Sequence, residues 1–361
     1  MMDQRIDRNG RHRRRPGLCG PGRHVALLSL VLAAALFAGC ARRDPAPAAI
    51  AVLLADDVRL EKVEGLREGL AELGYTPDRV DITVYSARGD RSRLPALAAQ
   101  AIASGPDVLV AGGGIEADTL HRSDNPGLPV VMAGVASPVR WGWIDSYARP
   151  GGLMTGVDNQ HAELSGKRLE LLTKLLPDVR RVLVLYDPQV VPGLHALEVV
   201  EEAAARLGVS LGTVEAGDLD GALAGLGAIE PGEYDAALLL PAFVLESGAG
   251  AIAAALERLG LPAMGPLDLG PEAGLMAAYG NSNRAQGKQA ARFVAKVLSG
   301  ADPATLPIES IDNPELVVEL EVVRRLGITL KPEGMAFAHV RGDEAGPGPG
   351  DVQVPAGEVG P

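Results

Sequence analysis

The feature that most constrains this chain is one alternation, run through twice. Ile50-Ala51-Val52-Leu53-Leu54 is a continuous apolar stretch of strand length, which suits a strand covered on both faces. Leu60, Val63, Leu66, Leu70 and Leu73 follow at helical spacing and stop at Gly74. Ile82-Thr83-Val84-Tyr85 is the next strand. Leu94, Leu97, Ala101 and Ile102 mark a helix ended by Gly105-Pro106, and Val108-Leu109-Val110 and Val130-Val131-Met132 are two further strands. The pattern restarts at Val182-Leu183-Val184-Leu185. A helix marked by Leu194, Leu197 and Leu207 follows, then a strand from Val209 to Val214 and a helix marked by Leu219, Leu223 and Leu226. A strand from Ala236 to Leu240 and a helix over 249–259 complete the second set before Pro262. Short apolar strands alternating with amphipathic helices predict an α/β fold of doubly wound parallel sheets. Two such units in tandem predict two lobes, with a ligand cleft where the carboxyl ends of both sheets meet.

What precedes the first strand is of another kind. Residues 1–39 carry seven arginines against Asp3 and Asp7, and the uncharged run Val25 to Phe37 is 13 residues long. A bilayer span needs about 20 residues. A basic segment, a short apolar run and then small residues predict a secretory signal peptide over 1–39. Phe37-Ala38-Gly39-Cys40 resembles the bacterial lipobox, with Phe37 where Leu is usual, so Cys40 is expected to become the first mature residue and to carry lipid. The only other cysteine, Cys19, lies in the discarded segment, so no disulfide forms within the mature chain. Residues 40–48 then form a Pro/Ala tether, and 342–361, rich in Gly, Pro and acid with no apolar period, a disordered tail.

Charge and motifs exclude several functions. The chain has 34 Lys and Arg against 46 Asp and Glu, a formal net charge of −12. The basic leader makes the remainder more acidic still, which argues against a nucleic-acid partner. His121, His161, His195 and His339 form no metal-spaced pair, and neither G-x-S-x-G nor H-E-x-x-H occurs. No enzyme, metal or cofactor is therefore expected.

Several stretches resemble one family. Arg149-Pro150-Gly151-Gly152, Thr155-Gly156-Val157, Lys167 to Leu172, Leu176-Pro177 and Val182 to Pro188 are similar to the signature region of ABC transporter substrate-binding lipoproteins related to tryptophan- and tyrosine-binding components. Glu64 to Leu70, Leu73-Gly74-Tyr75, Tyr279-Gly280, Gly287, Leu298-Ser299-Gly300, Pro303, Leu306-Pro307-Ile308 and Leu316-Val317-Val318 extend the match over roughly 48–330. The resemblance implies a type I periplasmic-binding-protein fold, two lobes joined by a three-strand hinge. Crossovers are expected near Thr155–Asn159, Ala278–Asn281 and Leu306–Ser310. The implied lobes are 49–155 plus 281–306, and 156–280 plus 307–335. It further implies an extracytoplasmic, membrane-anchored, monomeric lipoprotein that captures a small ligand, an amino acid or analogue, for an ABC permease. An exported ligand-sensing domain of a signalling system shares these features.

Candidate ligand residues follow from position. Asp56 or Asp57, after the first strand, can meet a ligand ammonium or cap the next helix. Gly112, Gly113 and Gly114 can bring backbone N–H groups to a carboxylate, or simply form a tight turn. Asp187 mirrors Asp56 in the second unit, and Asp158, Tyr279 and Asn281 fall at crossovers. Ser137 stands where the family commonly has Asp, and Phe243 lies in a loop lacking the family's usual polar pair, so ligand identity stays open. Trp141 and Trp143 are expected to pack over the hinge or to line the cleft mouth.

Overall fold

The computed structural model describes residues 46–269 and 274–342. The expected signal peptide, residues 40–45 of the tether with Cys40, and the tail beyond 342 lie outside the described residues, and β1 already begins at Ala48, the last residue of the expected tether. Among the described residues no helix is long and apolar enough to cross a membrane.

Two sheets are built, each from its own set of the alternation. The first has the order β11-β5-β4-β3-β1-β2, from β1 (Ala48–Leu54), β2 (Val80–Ser86), β3 (Val108–Ala111), β4 (Val130–Val135), β5 (Met154–Asp158) and β11 (Glu309–Ser310), all parallel. Successive residues of a strand face opposite sides, and both sides of β1 are apolar. Ile50, Val52 and Leu54 pack on one face against α1 (Leu60–Glu72) and the helix Asn283–Leu298. Ala51 and Leu53 pack on the other against α2 (Leu94–Ala103) and α3 (Gly114–Arg122).

The second sheet repeats this around β6 (Arg181–Tyr186). Its order is β13-β12-β10-β9-β8-β6-β7, with β7 (Ser210–Glu215), β8 (Ala236–Leu239), β9 (Ala263–Gly265), β10 (Ala277–Gly280), β12 (Glu315–Glu319) and β13 (Ala338–Arg341). Val182 and Val184 face α4 (Ser165–Leu175) and α5 (Val191–Leu207). Leu183 and Leu185 face α6 (Leu219–Gly227), the five-residue α7 (Phe243–Ser247) and α8 (Ala249–Arg258).

The chain passes between the sheets three times. Backbone pairing with β4 keeps β5 in the first sheet as far as Asp158, so the first passage falls after Asp158 and not at 155. After β10 the chain returns to the first lobe as α9 (Asn283–Leu298). Pairing of β11 with β5 then holds it there to Ser310, beyond the expected 306. The last passage brings it into the second sheet from the cleft side, where the other strands leave. That is why β12 lies antiparallel to β10, and why this sheet is not wholly parallel as expected. The edge strand β13, paired to β12, extends the second lobe past the expected 335.

One contact ties the first lobe together. Helices α1 and α9 pack at glycine contacts. A Cβ on Gly65 would stand 2.0 Å from the Arg284 carbonyl oxygen, and one on Gly287 would stand 1.9 Å from that of Lys62. Only glycine permits backbones this close.

Candidate functional site

Both lobes turn the carboxyl ends of their strands to one cavity, of empty volume ≈ 630 Å³ counted to its mouth. The first lobe contributes the turns after β1, β3 and β4, through Arg59, Gly113, Gly114 and Trp141. The second contributes those after β6, β8 and β9, through Val190, Ala242, Phe243, Glu246 and Pro266. Asn159 and His161 line it from the first passage between lobes. A crevice beyond the carboxyl strand ends is where open α/β sheets bind ligands.

Four buried charges dominate the site, of which Arg59, Lys62 and Glu246 line the cavity and Glu116 stands behind them. Asp57–Arg59 forms a short 3-10 turn capped by Asp56, whose carboxylate accepts from the Val58 N–H at 3.0 Å. This turn sends Arg59 inward. One terminal nitrogen of Arg59 donates to both oxygens of fully buried Glu116 at 2.8 and 2.7 Å. Its Nε donates to Glu246 Oε1 at 2.9 Å, and its other terminal nitrogen donates to Glu246 Oε2. Burial works against the Arg59 charge, but the two carboxylates more than offset it and hold the group well above its ordinary pKa. Glu116 is itself fixed by the Ala55 N–H at 2.7 Å. Lys62 extends beneath and donates to the carbonyls of Gly112 and Ala133 at 2.7 and 3.0 Å. Arg59, Lys62, Glu116 and Glu246 together sum to zero charge.

The rest of the wall is apolar or aromatic. Phe243, from the second lobe, packs into a first-lobe cluster with Ala55, Ala87 and Trp143. Trp141 stacks on Trp143 with ring centroids 4.7 Å apart. Its buried indole N–H has no acceptor among the described residues. Helix α3 begins at Gly113 with no side-chain cap, so its first-turn N–H groups face the cavity end with their partial positive charge.

Of the candidates named from sequence, Gly113, Gly114, Trp141 and Phe243 line this cavity. The others lie outside the lining and have other engagements. Asp56 is the cap already described, and Asp57 accepts from the Ser86 hydroxyl at 2.6 Å. A Cβ on Gly112 would collide with Leu54 at 2.4 Å, so its glycine serves close packing. Asp187 is buried and accepts from the Gln189 N–H at 2.8 Å, and burial raises its pKa. Asp158 accepts from the Tyr147 hydroxyl and from the Gln160 N–H at 2.7 Å, and burial pushes it up to about 6. Ser137, at a positive φ of 56°, places its hydroxyl 3.1 Å from His195 Nδ1. The Tyr279 carbonyl accepts from Arg168, and that of Asn281 accepts from Gln286. With its amide oxygen and nitrogen exchanged, buried Asn281 donates to the Asp312 and Asn313 carbonyls at the third passage. Among the described residues no group of three metal-ligating side chains occurs.

Sequence reasoning missed Arg59, Glu116 and Glu246. The available signal was a charged residue two places after an expected helix cap, and acids inside otherwise apolar helical stretches.

Comparison with known proteins places this architecture. Residues 48–339 match the family described as "ABC transporter substrate binding protein". A tyrosine-binding protein of Clostridioides difficile is 20% identical over 296 residues, covering 81% of this chain and 84% of the relative. A conserved domain protein of Vibrio cholerae has a TM-score of 0.75 at 24% identity, over 81% of this chain and 99% of that one. An ABC domain from Streptococcus pneumonia, solved in complex with L-Trp, has a TM-score of 0.75 at 23% identity, over 82% and 99%. The fold is that of the type I periplasmic binding proteins.

Proposed function

We propose that this chain, which belongs to the ABC transporter substrate-binding protein family, captures an L-amino acid or close analogue with an aromatic side chain between its lobes and delivers it to the permease of an importer. The observation that carries this reading is the make-up of the cavity wall. Trp141 and Phe243 offer aromatic surface from opposite lobes, while the buried charges of Arg59, Lys62 and Glu246, with Glu116 behind them, cancel. A neutral wall with an uncapped helix start suits a zwitterion, whose carboxylate faces the Gly113-Gly114 turn. A ligand oxygen would also satisfy the Trp141 N–H, which a purely apolar ligand would leave unpaired. The tyrosine-binding relative and the L-Trp complex support the same ligand class. Gly113, Gly114 and Phe243 then touch ligand, while Asp56, Asp57, Asp158 and Asp187 shape the turns around it.

Family membership also supports an extracytoplasmic site of action. Residues 1–39 are removed in this reading, and Cys40 carries the lipid that holds the protein beside its permease. Mass spectrometry of the mature N-terminus finds a diacylated or triacylated cysteine if this is right, and an unmodified one if it is wrong.

The ligand test uses the two tryptophans of the chain, Trp141 in this wall and Trp143 stacked on it. Titration with L-tyrosine is expected to change their fluorescence saturably. At 100 times its dissociation constant a ligand stabilises by about 2.7 kcal/mol, a rise of several degrees in melting temperature. A panel in which only neutral sugars or polyols stabilise the protein would overturn the amino-acid assignment.

A further inference from the structure

We infer that the lobes carry a latch of their own, in which Arg59 of the first lobe grips Glu246 of the second and draws the cleft shut through protein groups alone. This deepens the binding reading, on which it rests for the meaning of opening and closing.

The geometry of Arg59 divides cleanly. One terminal nitrogen is spent on Glu116, which a backbone N–H anchors within the same lobe. The opposite edge, Nε with the other terminal nitrogen, presents a planar fork across the cleft, and Glu246 fills it with both oxygens. All three side chains are buried. A Cβ on Gly113 would lie 2.0 Å from the Arg59 nitrogen, so the arginine reaches this place only past a glycine.

Phe243 reinforces the grip. It stands three residues before Glu246 on α7, so both project from one face. Arg59 and Arg91, both of the first lobe, lie over its ring at 5.4 and 5.9 Å from the centroid. Two further contacts join the lobes at the rim. Ser137 meets His195, and the exposed pair Arg140–Glu198 at 3.3 Å adds little.

The same geometry makes the contact reversible. Opening separates Glu246 from Arg59 but leaves Arg59 on Glu116, and Glu246 then meets water. Neither charge is stranded in the protein interior, which is the circumstance that makes breaking a buried ion pair costly. Arg59 and Glu246 thus act as positioning residues. They raise the fraction of molecules already closed, and apparent affinity scales with that fraction.

Small-angle scattering tests this on the mature protein, dialysed free of small solutes, beside Glu246→Gln and Glu246→Asp. The aspartate variant keeps the charge and stands in should the glutamine variant fail to fold, as judged by circular dichroism. Wild type is expected to show the smaller radius of gyration, and a folded variant the larger. L-Tyrosine should then bind the variants about tenfold to a hundredfold more weakly. Equal radii for wild type and the folded variants overturn the latch, whether or not tyrosine binds. A larger radius in a folded variant supports it even where tyrosine does not bind, and in that case it is the ligand assignment that fails.

Discussion

Among the described residues two arginines are buried beside the chain's passages or its cleft, and their hydrogen-bond acceptors are placed differently. Arg168, with 0% exposure, donates from Nε to the Tyr279 carbonyl at 2.7 Å. Its terminal nitrogen donates to the His161 carbonyl at 2.6 Å and the Ser165 hydroxyl at 3.1 Å. Two of these acceptors belong to the second lobe, and the His161 carbonyl lies on the first passage just before it. Arg59 is held by two carboxylates that belong to different lobes. A cation whose partners move together is a strut. A cation whose partners sit on separate sheets is a contact that motion can make and break.

The strongest way to break that contrast is at the strut. Arg168→Met should strand three acceptors in a dry interior, at about 1–3 kcal/mol for each group left unsatisfied. We expect a loss of about 3–5 kcal/mol in urea unfolding. A loss below about 1 kcal/mol would show that water replaces the guanidinium, and the hinge would then be as labile as the cleft.

Asp158 lies between the two regions, at the end of β5 and beside Ser137. Burial raises its pKa to about 6 from 3.8. The folded state therefore binds this proton more tightly than the unfolded state. Its contribution to stability is fully present below about pH 3.8 and is lost as pH rises through about 6. That swing is about 2–3 kcal/mol for a shift of roughly two units. Asp158→Asn should remove the dependence, seen as a difference between the two stability-versus-pH curves. Parallel curves would place the charge in contact with solvent.

Gly113→Ala should have the smallest effect on stability. The added methyl displaces the flexible end of Arg59, at about 0.5–1.5 kcal/mol for an off-rotamer side chain. The radius of gyration should nevertheless rise as it does for Glu246→Gln. A compact Gly113→Ala protein would mean that the fork tolerates displacement.

The two regions also differ in how far they could be read in advance. The strands and helices came from periodicities that are local, and β1, β4 and β6 lie where the apolar runs put them. β13 had no such signal, because Ala338-His339-Val340-Arg341 is mostly exposed at an edge. At the site, Gly113, Gly114 and Phe243 were visible because they follow strands. Arg59 was not, since arginine is rarely buried and its partners stand 57 and 187 residues away. Asp56, Asp57 and Asp187 drew attention as acids near strand ends. Each orders its own turn or a neighbouring strand, the alternative role the sequence also offered, as short acidic side chains tend to do.

The glycine-lined seam between α1 and α9 bears on the order in which the chain can fold. Residues 60–72 can rest on β1 and β3 early, but their glycine-lined face stays open until 283–298 exist, so the first lobe is completed only after almost all of the second has been synthesised. Contacts of such long sequence separation carry a large loop-closure cost and slow folding. The second lobe's β6 to β9 region is contiguous and is free of that delay. For a chain that the proposed reading sends across a membrane, late completion of its leading lobe keeps the segment behind the signal peptide loose enough to be threaded through.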